Sequence, residues 1–146
     1  MTSKYTGIRF AKWVLSVVGK PIDSDGVFGN QCVDIPKHYT THVLYPSLTA
    51  RAVGIFGNGK DIYANAKKTY FQKIPYKKGL IAHRGDIVSY RATSTNKYGH
   101  TAVVTSPRWA NGSSYTVVEQ NGFNPSGVAY KAKRNYNNLI GFARHK

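Results

Sequence analysis

The order of hydrophobic periods along this chain predicts an α+β fold, with helices first and an antiparallel sheet afterwards. Three observations carry that prediction. Early in the chain, apolar residues recur at helical spacing. From Gly85 onward, short runs rich in β-branched and aromatic residues replace them. Those runs are separated by turn signals: TSTNKYG, PRWANG and NGFNPSG.

Ile8, Ala11, Leu15 and Val18 recur at helical spacing, with Phe10, Val14 and Val17 widening the stripe, so a helix is expected from about Gly7 to Val18. Gly19 and Pro21 stop it. An Asp/Gly loop follows, IDSDGVFGNQCVD from Ile22 to Asp34. A second helix is expected from about Gln31 to His42, on the spacing of Cys32, Ile35, Tyr39 and Val43. Pro36 is tolerated only in a first turn, which places the helix start at or just after Cys32 and the thiol at a helix N-terminus. Tyr45 to Gly59 reads as loop, Lys60 to Lys68 as a short helix, and Pro75 to Gly79 as a turn. Five strands are expected: Gly85 to Tyr90, His100 to Ser106, Ser114 to Asn121, Gly127 to Lys133 and Leu139 to Arg144.

A chain of 146 residues with 41% hydrophobic residues is one domain's worth with a respectable core, so residues 1–146 are read as a single domain. No apolar run approaches a membrane span. The start, MTSKYTGIRF, lacks the pattern of a signal peptide, and synthesis in the cytoplasm is expected. One cysteine excludes an intramolecular disulfide. Lys and Arg number 21 against 6 Asp and Glu, a formal net charge of +15. Such a chain accumulates on polyanions. The basic residues are scattered, and no zinc-finger spacing or RNA-recognition aromatic motif is present, so no specific nucleic-acid partner is expected.

The loop from Ile22 to Asp34 holds the lone cysteine and three of the six acidic residues, Asp23, Asp25 and Asp34. A free cysteine is ordinarily a buried structural thiol. At a helix N-terminus its pKa falls and it becomes a nucleophile, provided a base is near. Of the five histidines, His38 would point away from Cys32, His83 precedes a strand and His145 lies in the tail. His100 opens a strand after Gly99, a glycine that lets another segment approach closely, and is the best-placed base. Glu119 is the only glutamate and sits in an apolar run, where a carboxylate needs a partner. Asn121, two residues on, shares its strand face. A carboxylate that orients an imidazole, with an amide beside it, completes a cysteine-protease-like constellation. The bland alternative for Glu119 is a solvated strand end.

GNQCVD around Cys32, YGHTAVV around His100 and VVEQN around Glu119, in that order and spacing, resemble a CHAP domain, the cysteine, histidine-dependent amidohydrolase/peptidase of phage endolysins and bacterial wall hydrolases. The resemblance covers nearly the whole chain. It implies a papain-like α+β fold, with N-terminal helices packed on an antiparallel sheet of about five to six strands. It implies Cys32 as nucleophile, His100 as base, Glu119 as the group that orients it and Asn121 as a helper. It also implies a substrate, an amide bond of peptidoglycan, cut as amidase or endopeptidase. Phage endolysins of this kind leave the cell by a route such as a holin.

Some staphylococcal phage members carry Ca²⁺ in a matching D-x-D-G loop. Here Asp23, Asp25, Gly29 and Asp34 occupy positions one, three, seven and twelve of an EF-hand-like count. Position five is Val27, which offers only its carbonyl, position six is Phe28 rather than glycine, and position twelve is Asp rather than Glu. The resemblance implies backbone carbonyls of Val27 and Gly29 as ligands beside Asp23, Asp25 and Asp34, so structural Ca²⁺ is expected. The alternative is an Asx-turn loop with Asp34 at the helix start.

Two functional classes follow. One is a monomeric peptidoglycan hydrolase that lyses Gram-positive cells, attracted by anionic wall polymers, with no membrane insertion. No separate wall-binding domain fits this length, so the chain is either an isolated catalytic domain or uses its charge in place of one. The other class is a non-catalytic basic module for nucleic acid or wall polymer, which needs clustered cations and stacking aromatics but not Cys32, His100 and Glu119 in this order.

Overall fold

A computed structural model describes residues 8–24, 31–106, 112–122 and 127–146. Helix α1 runs Phe10–Val17, α2 Asp34–Tyr39 and α3 Ile62–Asn65. A single π-helical turn, Thr40–Leu44, continues α2, and short 3₁₀ turns occupy Arg51–Val53 and Gly59–Asp61. Six strands follow: β1 Phe71–Pro75, β2 Ile87–Tyr90, β3 His100–Val104, β4 Tyr115–Glu119, β5 Tyr130–Arg134 and β6 Leu139–His145. They form one sheet in the order β1-β6-β2-β3-β4-β5, every neighbouring pair antiparallel. The α+β prediction and the count of about five to six strands hold, with six observed.

The sheet is apolar on both faces. Phe71, Ile87, Val103, Val118 and Ala143 join the helical side chains Phe10, Trp13, Val17, Ile35 and Tyr39 in one core. Val88, Ala102, Val104, Val117 and Phe142, on the opposite face, form a second core with Tyr90, Tyr115 and Tyr136. Double coverage explains why β2 and β3 are buried at every position instead of alternating. Among the described residues no helix is long and apolar enough to cross a membrane.

Several local expectations shift. α1 turns a different face inward: Phe10, Trp13, Val14 and Val17 are buried, while Ile8 and Leu15 are 75% and 77% exposed. Two apolar sets at helical spacing interleave in this segment, and the one carrying the larger rings reaches the core, with Trp13 packing 4.9 Å from Tyr39. α2 begins at Asp34, so Cys32 lies in the turn ahead of it, and the regular helix ends at Tyr39 where the π-helical turn begins. The expected helix over Lys60 to Lys68 shrinks to the 3₁₀ turn and α3. Strand β1 was not expected; FQKIP has weak alternation and ends in proline, a residue confined to sheet edges, which is where β1 lies.

Candidate active site

Cys32 is placed by the loop that precedes α2. Two buried polar side chains close that loop. Asp34, fully buried, accepts the Gln31 N–H at 2.7 Å on Oδ2, and on Oδ1 the Ser24 N–H and hydroxyl, each at 3.1 Å. Gln120, also fully buried, accepts the Ile22 N–H at 2.9 Å and donates to the carbonyls of Ile22 at 2.7 Å and Gln31 at 2.9 Å. Gln120, just beyond β4, thus holds Ile22 and Gln31 together, and Asp34, at the α2 start, holds Ser24 and Gln31. In the sequence Gln120 is marked only by standing next to Glu119, although a buried amide beside an acid carries the same demand for partners.

The thiol differs from expectation. Burial pushes the Cys32 pKa up to about 11; backbone N–H groups of Thr101 and Val33 act downward, the charges of Asp34 and Glu119 upward. Cys32 stands in the turn ahead of α2, and desolvation is the largest influence on its thiol.

His100 is the first residue of β3 and Glu119 the last of β4. His100 Nε2 lies 3.1 Å from Glu119 Oε1. An ionised carboxylate only accepts, so Nε2 carries the proton and Nδ1 is left as the basic nitrogen. Glu119 is fully buried and has two further partners: Arg134 donates through Nε to Oε1 at 2.7 Å and through an η-nitrogen to Oε2 at 2.9 Å, and the Tyr130 hydroxyl donates to Oε2 at 2.7 Å. Burial acts to raise the Glu119 pKa, but the hydrogen bonds and charges of His100 and Arg134 outweigh it and hold the carboxyl at about 2. The solvated-strand-end alternative is thereby corrected. Arg134 and Tyr130 carry no separate signal in the sequence; Tyr130 stands opposite Glu119 in the β4–β5 register, whereas Arg134 pairs with Tyr115 and reaches the carboxylate with its long side chain.

Tight backbone contacts bring His100 to the cysteine side. Gly99 has φ +69°, and a side chain there would strike the Tyr90 carbonyl and Lys60. A Cβ on Gly59 would come within 2.6 Å of the His100 Cα. These glycines let the 3₁₀ turn lie directly on the start of β3, as the reading of Gly99 anticipated.

Cys32, His100 and Asn121 line one cleft of about 490 Å³, together with Gln31, Asn58 and Tyr98. The thiol and the imidazole face this cleft without a hydrogen bond between them, a common state of catalytic pairs before substrate arrives. Asn121 arrives by a different route from the one expected. β4 ends at Glu119, and Asn121 takes a left-handed φ of +54°, so a turn rather than strand alternation aims it at the cleft. The other histidines stand elsewhere. His38 accepts the Trp13 indole N–H at 2.8 Å and stacks on His42 at 3.7 Å, and burial, then His42, lowers its pKa to about 4. The ring of His145 packs 5.2 Å from that of Tyr45. The backbone N–H of His83 donates to Asp86, which pairs with Arg144 at 2.8 Å.

Of the expected metal ligands, Asp25, Val27 and Gly29 lie outside the described residues. Asp23 is exposed and Asp34 buried beside Ser24. Among the described residues no group of three His, Cys, Asp or Glu side chains could hold a metal. The donor chemistry of the expected set, carboxylates and carbonyls, suits a hard cation.

Comparison with known proteins agrees with this arrangement. The endolysin PlyTW of Staphylococcus phage Twort is 29% identical over 124 residues, 83% of this chain and 25% of that protein. The endolysin LysK of Staphylococcus phage K is 32% identical over 100 residues, 68% of this chain and 19% of that protein. The chain therefore spans a quarter or less of these relatives. The crystal structure of the wild-type endolysin LysIME-EF1 superposes with a TM-score of 0.75 at 23% identity, over 99% of this chain and 63% of that one. The pattern of the CHAP domain matches residues 22–121, which takes in Cys32, His100, Glu119 and Asn121, and the chain belongs to that family.

Proposed function

We propose that this chain is a peptidoglycan hydrolase that cuts an amide bond of the bacterial wall with Cys32 as nucleophile. The observation that carries the proposal is the single cleft onto which Cys32, His100 and Asn121 open, with Glu119 bonded behind His100. The endolysins among its relatives support the choice of substrate.

Glu119 fixes the imidazole with its Nε2 proton inward, so Nδ1 takes the thiol proton as sulfur attacks the carbonyl carbon. A thiol held at about 11 is neutral at rest, so this transfer accompanies attack and does not precede it. The C–S bond forms and the carbonyl oxygen takes the electron pair. Collapse breaks the C–N bond, and the imidazolium returns its proton to the departing amine. Water, deprotonated by the same imidazole, then releases the acid from the thioester. The Asn121 amide at the cleft wall is a helper to the oxyanion or to the imidazole.

Turbidity loss of a Gram-positive cell suspension tests this reading. Cys32→Ala and His100→Ala should each abolish lysis and keep the fold; residual lysis above a few per cent in either sinks the mechanism. It also separates the enzyme from a non-catalytic basic module, which would not depend on the thiol. Mass spectrometry of the wall fragments assigns the bond as muramoyl–alanine (amidase) or peptide (endopeptidase). The proposal extends to a structural Ca²⁺ held by Asp23, Asp25 and Asp34 with the carbonyls of Val27 and Gly29, supplying charge neutralisation to the loop. It further includes a monomeric catalytic domain that reaches the wall by a route such as a holin.

A further inference from the structure

A second concavity, of about 460 Å³, opens on the other side of His100. It shares Asn96, Gly99, His100 and Asn121 with the cysteine cleft but does not touch Cys32. Its wall is cationic and rich in amides: Arg91 and Lys133 are exposed on it, beside Asn135 and Asn138. Among the described residues no acidic side chain lines it. Glu119, fully buried and bonded to His100, already accepts two hydrogen bonds from Arg134. Beside Arg134, which is paired with Glu119, the hollow therefore carries the positive charges of Arg91 and Lys133, with no carboxylate lining it among the described residues.

Position relative to the reacting atoms assigns the hollow a side of the substrate. The thiol takes the acyl half of the broken amide, and His100 gives its proton to the amine half. A hollow bounded by His100 and not by Cys32 receives the amine half. The geometry points to a leaving-group subsite for a carboxylate-bearing peptide segment, with Arg91 and Lys133 as its specificity-determining residues. Wall peptides carry free carboxylates along their length and at their ends, and many are present with that group converted to a carboxamide. Charge-assisted hydrogen bonds separate the two forms, because a neutral amide forfeits the ionic component. This inference rests on the cysteine mechanism proposed above.

The test uses purified peptide fragments of the wall, free of attached polymers, in pairs that differ only in a carboxylate or carboxamide on the amine side of the cleaved bond. The wild-type chain should cleave the carboxylate member with a kcat/KM about tenfold higher, the effect of about one charge-assisted hydrogen bond, expressed mainly in KM. Arg91→Gln/Lys133→Gln should bring the ratio close to one. The single substitutions should each fall between, which guards against a double variant that folds poorly. Equal cleavage of the pair by wild type, or a preference that survives the double substitution, overturns the subsite. So does a double variant impaired on intact walls alone, which would mean that the cations meet wall-polymer phosphates. Cleavage by Cys32→Ala would instead overturn the mechanism, whatever the ratio shows.

Discussion

At the scale of single residues, burial and pairing divide the charges of the site. The Cys32 thiol, raised by desolvation to about 11, is neutral near pH 7. Its alkylation by iodoacetamide in His100→Ala should therefore stay slow at pH 8 and keep climbing beyond pH 9, as the thiolate fraction grows. A plateau reached by pH 8 would mean a preformed thiolate. Glu119 behaves in the opposite sense. Its carboxyl is lowered from 4.5 to about 2, so the folded state favours the ionised form. The associated stability is present above pH 4.5 and is lost as pH falls from there through about 2, an effect of about 3 kcal/mol. Glu119→Gln should thus be less stable than wild type at pH 7, with the gap narrowing below pH 4.5. A denaturant-measured gap that is constant from pH 7 to pH 3 would contradict this account. Its activity should fall, but less than that of His100→Ala, since an amide oxygen still accepts from Nε2 without stabilising the imidazolium.

At the scale of elements, the loop ahead of α2 is held from both sides by groups that no surface contact could replace. Gln120→Ala removes three hydrogen bonds and strands the Ile22 N–H away from solvent, a loss of about 2–3 kcal/mol. Because Gln31 adjoins Cys32, the same substitution should also lower kcat; unfolding midpoints and turbidity assays read the two effects separately. Asp34 ties Ser24 to Gln31 on the opposite flank. If the loop holds Ca²⁺, chelation should lower the melting temperature and slow lysis, and calcium should restore both by mass action. Mg²⁺ should restore less, because it demands tighter octahedral geometry. Calorimetric titration of chelator-treated protein checks the point: no heat of binding at millimolar calcium would leave Asp34 as a hydrogen-bonded clasp alone.

At the scale of the whole molecule, one sheet covered on both faces sets the site at the ends of its strands. The ends of β2 and β4 and the starts of β3 and β5 meet there, and Tyr90, His100, Glu119 and Tyr130 come from four different strands. The chain as a whole carries a formal net charge of +15. Attraction to an anionic wall is screened over about 8 Å at physiological ionic strength, so lysis should weaken steadily as salt rises. Activity that climbs with salt would dissociate the charge from wall binding.

Much of this was legible in the sequence because it depends on local pattern. Helical periods before strand periods gave α+β, and the turn signals separated five of the six strands. The lone thiol, the lone glutamate and the histidine behind a glycine marked the site without knowledge of its geometry. What the sequence left undetermined depends on which segments lie against each other. Interleaved apolar sets in α1 do not reveal which one meets Tyr39. FQKIP becomes a strand only because β6 offers it a partner. Tyr130 enters the site through strand register, Arg134 through the reach of its side chain from the far end of β5, and Gln120 through contacts with residues 98 and 89 positions away. The pKa of Cys32 is decided by how deeply the fold buries it, since desolvation depends on every neighbouring segment while a helix start is read from a few consecutive residues.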